Sequence, residues 1–235
     1  MSATLTVSPL HRATRFYEAT NGKKAVMAIT GVILFGYVLG HLLGNLQVFA
    51  GGGPEAPINR YAHFLHSQPA VLWVVRGLLF AAVVLHIVSS IQLWVLNHRA
   101  RGPVSYYKKD DVPTAYAART MKWSGPIIAA FVIFHVLHLT TGDVLPLATL
   151  PEGGYDVYFN VVNGFRLWWV SAAYIVAVTL LGFHLYHGLY SMFQSMGLNH
   201  PRYTPRLKRF AQGFAIVVTA GFISIPAAVL AGILR

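Results

Sequence analysis

The sequence predicts an all-α integral membrane protein with five transmembrane helices. Of the 235 residues, 55% are hydrophobic and 11% are charged, and the mean hydropathy is positive. This composition is atypical of a soluble globular domain. Five apolar stretches are each long enough to cross a hydrocarbon core, which takes about 20 helical residues. The basic residues are concentrated in the connections on one side of these stretches, as in membrane proteins of defined topology.

The five predicted spans follow one another in a single domain, residues 1–235. They cover residues 25–50, 70–96, 123–141, 167–196 and 210–234. The first span is preceded by a polar stretch and lacks a small-residue cleavage site, so we expect an uncleaved transmembrane helix. The fifth span contains Gly213, Gly221 and Pro226 and no ionisable residue before Arg235. This pattern predicts a packing helix with a kink.

The longest connections between spans cover residues 51–69 and 142–166. Both are rich in glycine and proline and are predicted to be loops. Within the first, the segment "NRYAHFLHS" is equally compatible with a short interfacial helix and with a surface loop. No connection is long enough to bury a core of its own, so we expect no second domain.

The net charge of +11 is distributed unequally across the membrane. Basic residues cluster before the first span, between the second and third spans, and before the fifth. This positive-inside pattern predicts a cytoplasmic N-terminus and a C-terminus outside. We expect the basic surface to face anionic lipid headgroups and a cytoplasmic partner, and no nucleic acid, because no recognition motif accompanies it. The clustered residues are Arg12, Arg15, Lys23, Lys24, Arg99, Arg101, Lys108, Lys109, Arg119, Lys122, Arg202, Arg206, Lys208 and Arg209.

The chain has no cysteine, and its predicted spans have no acidic residue. The chain contains no cysteine, which excludes disulfides, iron–sulfur clusters bound by cysteine and covalently attached haem. All seven acidic residues lie in loops or at the N-terminus. A transporter with a carboxylate proton relay inside the membrane is therefore disfavoured.

Six histidines fall within the predicted spans, distributed over four of the five. Ionisable residues at membrane depth usually mark a site, because each polar group in hydrocarbon needs a partner. Six imidazoles in four helices are therefore difficult to explain as isolated structural residues. They are His41, His86, His135, His138, His184 and His187.

The depth of each histidine predicts which ones meet. A haem held by two imidazoles requires them from different helices at the same depth. At about 1.5 Å per residue, His41 lies about 13 Å and His135 about 10 Å from the outer ends of their helices. His86 lies about 24 Å from that end, and His184 about 26 to 30 Å. We therefore expect two levels, separated by about 10 to 15 Å, which suits two stacked haems.

The neighbours of these candidates leave alternatives open. His138 and His187 each lie three residues from a candidate ligand, on about the same helix face. Spacing alone does not choose within either pair, and we expect the extra histidine to be a hydrogen-bonding residue or a neighbour of a propionate or quinone. Small residues beside the candidates would allow a flat macrocycle to approach the backbone, although such spacing also serves helix packing. They are Gly36, Gly40, Gly44, Gly182 and Gly188.

These residues resemble a known family, the cytochrome b membrane-anchor subunit of succinate:quinone oxidoreductases. The similar type is the single-chain anchor with five helices and two haems. The resemblance covers most of the chain and depends on four segments. They are "NGKKAVMAITGVILFGYVLGHLLGN", "RYAHFLHSQP", "IFHV" and "GFHLYHGLYSMFQSMG".

The resemblance implies which histidines are haem ligands. The family pattern of a histidine followed by Gly-Leu-Tyr selects His184, and the Phe-His-Val context selects His135. By the same resemblance, His41 and His135 would bind the haem distal to the cytoplasm, and His86 and His184 the proximal haem. The two cofactors would be haem b.

Two other residues have roles that the resemblance implies, and two more are singled out by depth and by a departure from the family pattern. Trp123 and Arg166 match positions near haem edges in relatives. Arg166 would either pair with distal propionates or be an interfacial arginine whose side chain extends to the headgroups. Arg76 lies inside the second span and should have an anionic partner, either a propionate or a quinone oxygen. Several relatives that use menaquinone have a carboxylate immediately before the second span, where this chain has His66. An imidazole also exchanges protons near neutral pH, so His66 and Arg76 are the candidate quinone residues.

The function implied is that of a membrane anchor in succinate dehydrogenase. It would carry electrons through two b haems between a flavoprotein and iron–sulfur pair on the cytoplasmic side and a quinone in the bilayer. The chain would not bind succinate, would be part of an enzyme only within the complex, and would lie in a bacterial cytoplasmic membrane. Two alternatives remain. One is a cytochrome b subunit of another quinone-linked complex, such as a fumarate reductase, hydrogenase or formate dehydrogenase, and the other is a non-redox membrane protein.

Overall fold

The computed structural model describes residues 17–102 and 116–235, and these residues form seven α-helices. A 3-10 turn, Leu46–Ala50, continues the first helix, and the described part contains one isolated β-bridge and no longer strand. In chain order the helices are α1 (Thr20–Asn45), α2 (Pro57–His66), α3 (Pro69–Arg101), α4 (Tyr116–Leu139), α5 (Val157–Arg166), α6 (Trp168–Ser195) and α7 (Thr204–Leu230).

The predicted all-α class and the five long apolar helices are confirmed for the described residues. Five of the helices, α1, α3, α4, α6 and α7, are long and apolar enough to cross a membrane, and each corresponds to one predicted span. The segment that was compatible with a helix or a loop forms α2. The predicted orientation of the termini stays a prediction, and four of the basic residues on which it depends lie outside the described residues. These four are Arg12, Arg15, Lys108 and Lys109.

One loop prediction is wrong, because residues 157–166 form the helix α5. The carboxylate of Asp156 caps this helix by accepting a hydrogen bond of 3.0 Å from the Phe159 backbone N–H. The buried side chains of α5 follow the three- and four-residue spacing of an amphipathic helix. They are Tyr158, Val161, Val162 and Phe165.

The two short helices lie at the same end of the bundle, which we call the short-helix end. Asn59 of α2 joins them: its amide donates to Asp156 Oδ1 at 3.0 Å and its oxygen accepts from the Tyr158 backbone N–H at 2.8 Å. A cluster of buried apolar residues from α5, α6 and α7 forms the core at this end. The opposite end, where α1 begins, carries the described basic clusters, and we call it the basic end.

Each of the five long helices packs against one or more of the others. Helix α1 packs against α3, α4 packs against α6, and α6 contacts both α1 and α7. Among the described residues, the α1 and α4 backbones do not pack closely together, and neither do those of α3 and α6. Side chains of α1 and α4, and of α3 and α6, can therefore meet across an interior space.

Candidate functional site

The structure brings the four candidate ligands together as two pairs of imidazoles. The ring centre of His41 in α1 lies 5.7 Å from that of His135 in α4, which we call the first pair. The ring centre of His86 in α3 lies 6.3 Å from that of His184 in α6, the second pair. The ring planes are inclined by 84° and 59°, so neither pair is stacked face to face. Each pair thus joins two helices whose backbones remain apart.

The two pairs lie at different depths, because α1 and α4 each cross both levels. On α1, Thr30 contacts the second pair and lies eleven residues before His41. On α4, Ser124 contacts the second pair and lies eleven residues before His135. Eleven helical residues rise about 16 Å. Both helices therefore give the same separation between the pairs.

The spacing of each pair suits two ligands on opposite sides of one metal centre. With metal–nitrogen distances of about 2.0 Å, two such imidazole rings have their centres about 6 Å apart. Among the described residues, no group of three or more His, Asp or Glu side chains is placed to hold a bare metal ion. A metal at either pair would therefore take its remaining ligands from a group other than these side chains.

A hydroxyl fixes the tautomer of His86. Thr30, which is buried, donates its only hydroxyl proton to the Val26 carbonyl at 2.8 Å. The 3.1 Å contact between Thr30 Oγ1 and His86 Nδ1 must then be a hydrogen bond donated by the imidazole. We assign the Nδ1–H form to His86, which leaves the Nε2 lone pair for a metal. Ser124 is placed similarly, with Oγ 3.5 Å from His184 Nδ1.

In the first pair, the partner of His135 is a tyrosine. Tyr174 of α6 places its hydroxyl 3.1 Å from His135 Nδ1 and 2.9 Å from His138 Nδ1. His41 is instead flanked by rings, with Tyr37 stacked at 5.3 Å and Phe222 at 5.9 Å between centres. The first pair is thus enclosed by aromatic side chains from α1, α6 and α7.

The structure distinguishes each candidate ligand from its neighbour three residues away. The His138 side chain lies next to α5. Its ring packs against Phe134 of α4 and Phe165 of α5, and it is 1% exposed. His187 contacts Ser191 of its own helix, with Nε2 3.1 Å from Oγ. His135 and His184 each face an imidazole of another helix, and their neighbours His138 and His187 do not. His135 and His184 are therefore the histidines that can share a metal with that imidazole.

The glycines near these histidines have two different roles. A Cβ at Gly44 would collide with the Tyr61 ring, and one at Gly182 would collide with Thr219 of α7. These two glycines therefore serve helix packing, and the macrocycle contact predicted for them is not needed to explain them. A Cβ at the remaining three would meet nothing within 4 Å, so their backbone is open to a ligand or to lipid. They are Gly36, Gly40 and Gly188.

The described contacts of the other predicted site residues are with groups other than the paired imidazoles. The indole of Trp123 is 66% exposed near the basic end. Arg166 lines a cavity of about 270 Å³ at the short-helix end, together with Asn163 and Arg235. The Arg76 guanidinium lies over the Trp73 ring, 5.1 Å from its centre.

The His66 imidazole is exposed at the end of α2. Its Nδ1 is 2.8 Å from the Ala62 carbonyl, and its ring centre is 6.4 Å from that of Tyr155. Arg76 has a different neighbour, the Trp73 ring. The described contacts therefore do not join the two candidate quinone residues into one site.

A polar cavity of about 470 Å³ lies at the basic end, between α1, α3 and α6. Its wall includes Ser90, one helical turn after His86. Among the described residues that line it, Lys24 is the one charged side chain, so the cavity can accommodate an anionic group near the second pair. The remaining lining residues are Met27, Leu93, Trp94, Asn97, Ser191, Gln194 and Ser195.

The hydroxyl partners of the histidines are residues of the candidate site that the sequence analysis missed. Thr30, Ser124 and Tyr174 each lie at the level of the imidazole that they contact. A polar side chain inside an apolar span needs a partner, so matching depths would have identified them. Comparison of the chain with protein-family models, with curated proteins and with solved structures finds no match.

Proposed function

We propose that the chain is a diheme b-type membrane anchor of a succinate:quinone oxidoreductase, and specifically of succinate dehydrogenase. The observation that carries the proposal is the meeting of four intramembrane imidazoles in two pairs, with ring centres 5.7 and 6.3 Å apart. A bis-histidine haem needs two axial imidazoles, and its porphyrin supplies the remaining nitrogens. The donor set of each pair fits that requirement.

The protein's part is to hold the ligands in the correct form and to exclude water. His86 is held by Thr30 and His184 faces Ser124, so both present Nε2 to the pair. When bound, each haem supplies one-electron transfer. Burial of the pairs among apolar helices would set the reduction potentials, together with the hydrogen bonds to the ligands.

Charge at the basic end supports the proposed direction of the electron path. Lys24 and the polar cavity near the second pair suit the anionic propionates of a haem held there. The surrounding basic surface suits docking of a flavoprotein and iron–sulfur pair. The second pair would exchange electrons with that partner, and the first pair would lie about 16 Å further along the bundle. Such a bundle would lie in a bacterial cytoplasmic membrane, with its basic end on the cytoplasmic side.

The electron path would end at a quinone in the bilayer. His66 and Arg76 remain the residues proposed for quinone exchange, and both lie on elements that begin or end near the short-helix end. His66 is exposed and offers an imidazole for proton exchange. Substitution of either residue is expected to slow quinone reduction and to leave the haem content unchanged.

A haem count with paired variants tests the proposal. We expect the purified wild-type protein to show a b-type band in its reduced-minus-oxidised spectrum and to contain two haems per chain. His135→Ala should remove about half of the haem, and the matched variant His138→Ala, which leaves both imidazoles of the first pair in place, should contain more haem than His135→Ala. A wild-type protein without a b-type band would refute the electron-transfer function.

The class of complex requires a separate measurement. We expect a flavoprotein and an iron–sulfur subunit to purify with the chain, and we expect succinate to reduce the b-type band of the purified complex. Reduction by formate or hydrogen, but not by succinate, would assign the chain to another quinone-linked complex. The haem count would remain valid in that event, because it depends only on this chain.

A further inference from the structure

The hydroxyl of Tyr174 lies between two imidazoles inside the bundle. It is 3.1 Å from His135 Nδ1 and 2.9 Å from His138 Nδ1. Tyr174 is 6% exposed, and its ring packs edge-on against Phe131 and Phe165 with centres 4.9 and 4.8 Å apart. The surrounding rings hold the phenol in place, so the hydroxyl contacts both histidines at once.

The number of protons restricts how these three groups bond. A tyrosine hydroxyl donates one hydrogen bond and accepts others, and a neutral imidazole carries its single proton on one nitrogen. If Tyr174 donates to His135, the proton of His135 must lie on Nε2, and that nitrogen cannot bind a metal. If His135 Nδ1–H donates to the Tyr174 oxygen, the Nε2 lone pair remains available. The described contacts of the Tyr174 hydroxyl include no other acceptor, so we assign its proton to a hydrogen bond with His138 Nδ1.

We propose that Tyr174 and His138 are positioning residues that hold His135 in its metal-binding tautomer. His135 Nδ1–H donates to Tyr174, and the Tyr174 hydroxyl donates to His138 Nδ1. This inference rests on the proposed function, because it assigns His135 as an axial ligand. It adds two residues that do not contact the metal but decide which nitrogen of the ligand is free.

The presence of an imidazole at position 138 supports this assignment, and the assigned form leaves its Nε2–H without an acceptor. Its Nε2 is buried without a hydrogen-bond partner among the described residues, and its ring lies so close to Gly164 that a Cβ there would be 2.6 Å from Nε2. A buried polar atom without a partner destabilises the fold, and its presence requires an explanation. A phenylalanine would fill similar space without that cost. The Nδ1 atom, as acceptor of the tyrosine proton, explains why an imidazole is present.

The chain of hydrogen bonds also affects the electronic properties of the ligand. Donation from Nδ1–H makes an imidazole a stronger electron donor to its metal, which stabilises the oxidised iron. Donation from Tyr174 to His138 polarises the phenolic oxygen and makes it a better acceptor. We therefore expect these hydrogen bonds to lower the midpoint potential of the centre at the first pair and to leave that of the centre at the second pair unchanged.

Potentiometric titration of the b-type bands, in the complete complex in membranes, tests the inference. Tyr174→Phe should raise the midpoint potential of one centre, or empty it, and leave the other unchanged. His138→Phe should shift the same centre in the same direction, and His138→Gln, which retains an acceptor, should shift it less. The double variant with both phenylalanines should shift no further than Tyr174→Phe alone. Tyr190→Phe, the same change further along α6, is the control and should leave both centres unchanged.

The outcomes separate the inference from the function on which it rests. If Tyr174→Phe contains both haems at wild-type potentials, the inference is overturned and the proposed function stands. If Tyr174→Phe does not accumulate, the same test applies to His138→Phe: wild-type potentials at both centres would overturn the inference. Additive shifts in midpoint potential in the double variant would also overturn it. A wild-type complex without haem would overturn the proposed function itself.

Discussion

Replacement of Gly164 by alanine tests the packing that holds His138 in place. The new Cβ would lie 2.6 Å from His138 Nε2 and 2.8 Å from Cε1, closer than side chains approach one another. Because His138 is 1% exposed and enclosed by Phe134 and Phe165, the ring has no open space into which to move. The substitution should therefore displace the ring and lengthen its hydrogen bond to Tyr174.

The magnitude follows from three contributions. Overpacking of a buried site costs about 1 to 3 kcal/mol, and the weakened hydrogen bond costs about 1 kcal/mol. Alanine in place of glycine stabilises a helix by about 0.5 to 1 kcal/mol. The net loss in the free energy of unfolding is about 1 to 3 kcal/mol. At about 2 to 4 °C per kcal/mol for a chain of this size, the thermal midpoint should fall by several degrees.

Thermal unfolding in one detergent, monitored by circular dichroism, measures this effect. Gly213→Ala in α7 is the matched control, since a Cβ there would meet nothing within 4 Å, and its midpoint should equal or slightly exceed that of the wild type. If Gly164→Ala unfolds at the same temperature as Gly213→Ala, the close contact between Gly164 and His138 does not exist in solution, and the reasoning fails.

Two further substitutions test other contacts. Thr30→Val keeps the shape of the side chain but removes the acceptor of the His86 Nδ1–H bond, so the midpoint potential of the centre at the second pair should rise. Unchanged titration curves would contradict the tautomer assigned to His86. Gly182→Ala should lower the thermal midpoint, because the new methyl group would collide with Thr219 and separate α6 from α7. Addition of Thr219→Ala should restore part of the loss, and equal midpoints for the single and double variants would argue against that contact.

Much of the fold could be predicted because hydrocarbon solvent restricts what a chain can do. Long apolar stretches must form helices there, since every backbone polar group needs an internal partner. The helix α5 was missed because its neighbourhood is rich in glycine and proline. Its signal was the spacing of Tyr158, Val161 and Phe165, which a helix places on one buried face.

The pairing of the histidines could be predicted from depth, but the choice within each pair could not be made from spacing. Residues three apart on a helix differ in direction by about 60°, and both members lie at almost the same level. Which of His135 and His138 faces α1 depends on the rotation of α4 about its axis. That rotation is set by packing against α6 and α5, which local sequence does not encode.

The hydroxyl partners were missed for a different reason. Thr30 and Tyr174 carry no charge and occur commonly in membrane helices, so neither stands out from composition. Their importance comes from contact with an imidazole of another helix, and only comparison of depths across helices would reveal it. Polar residues in apolar spans are therefore best analysed as a set, by level, and not one span at a time.

A density map of the purified protein, at a resolution that shows side chains, tests the central claim most directly. The account predicts two flat densities inside the bundle, one between His41 and His135 and one between His86 and His184, each connected to both rings. Imidazoles that contact only neighbouring side chains, with no flat density between them, would contradict it.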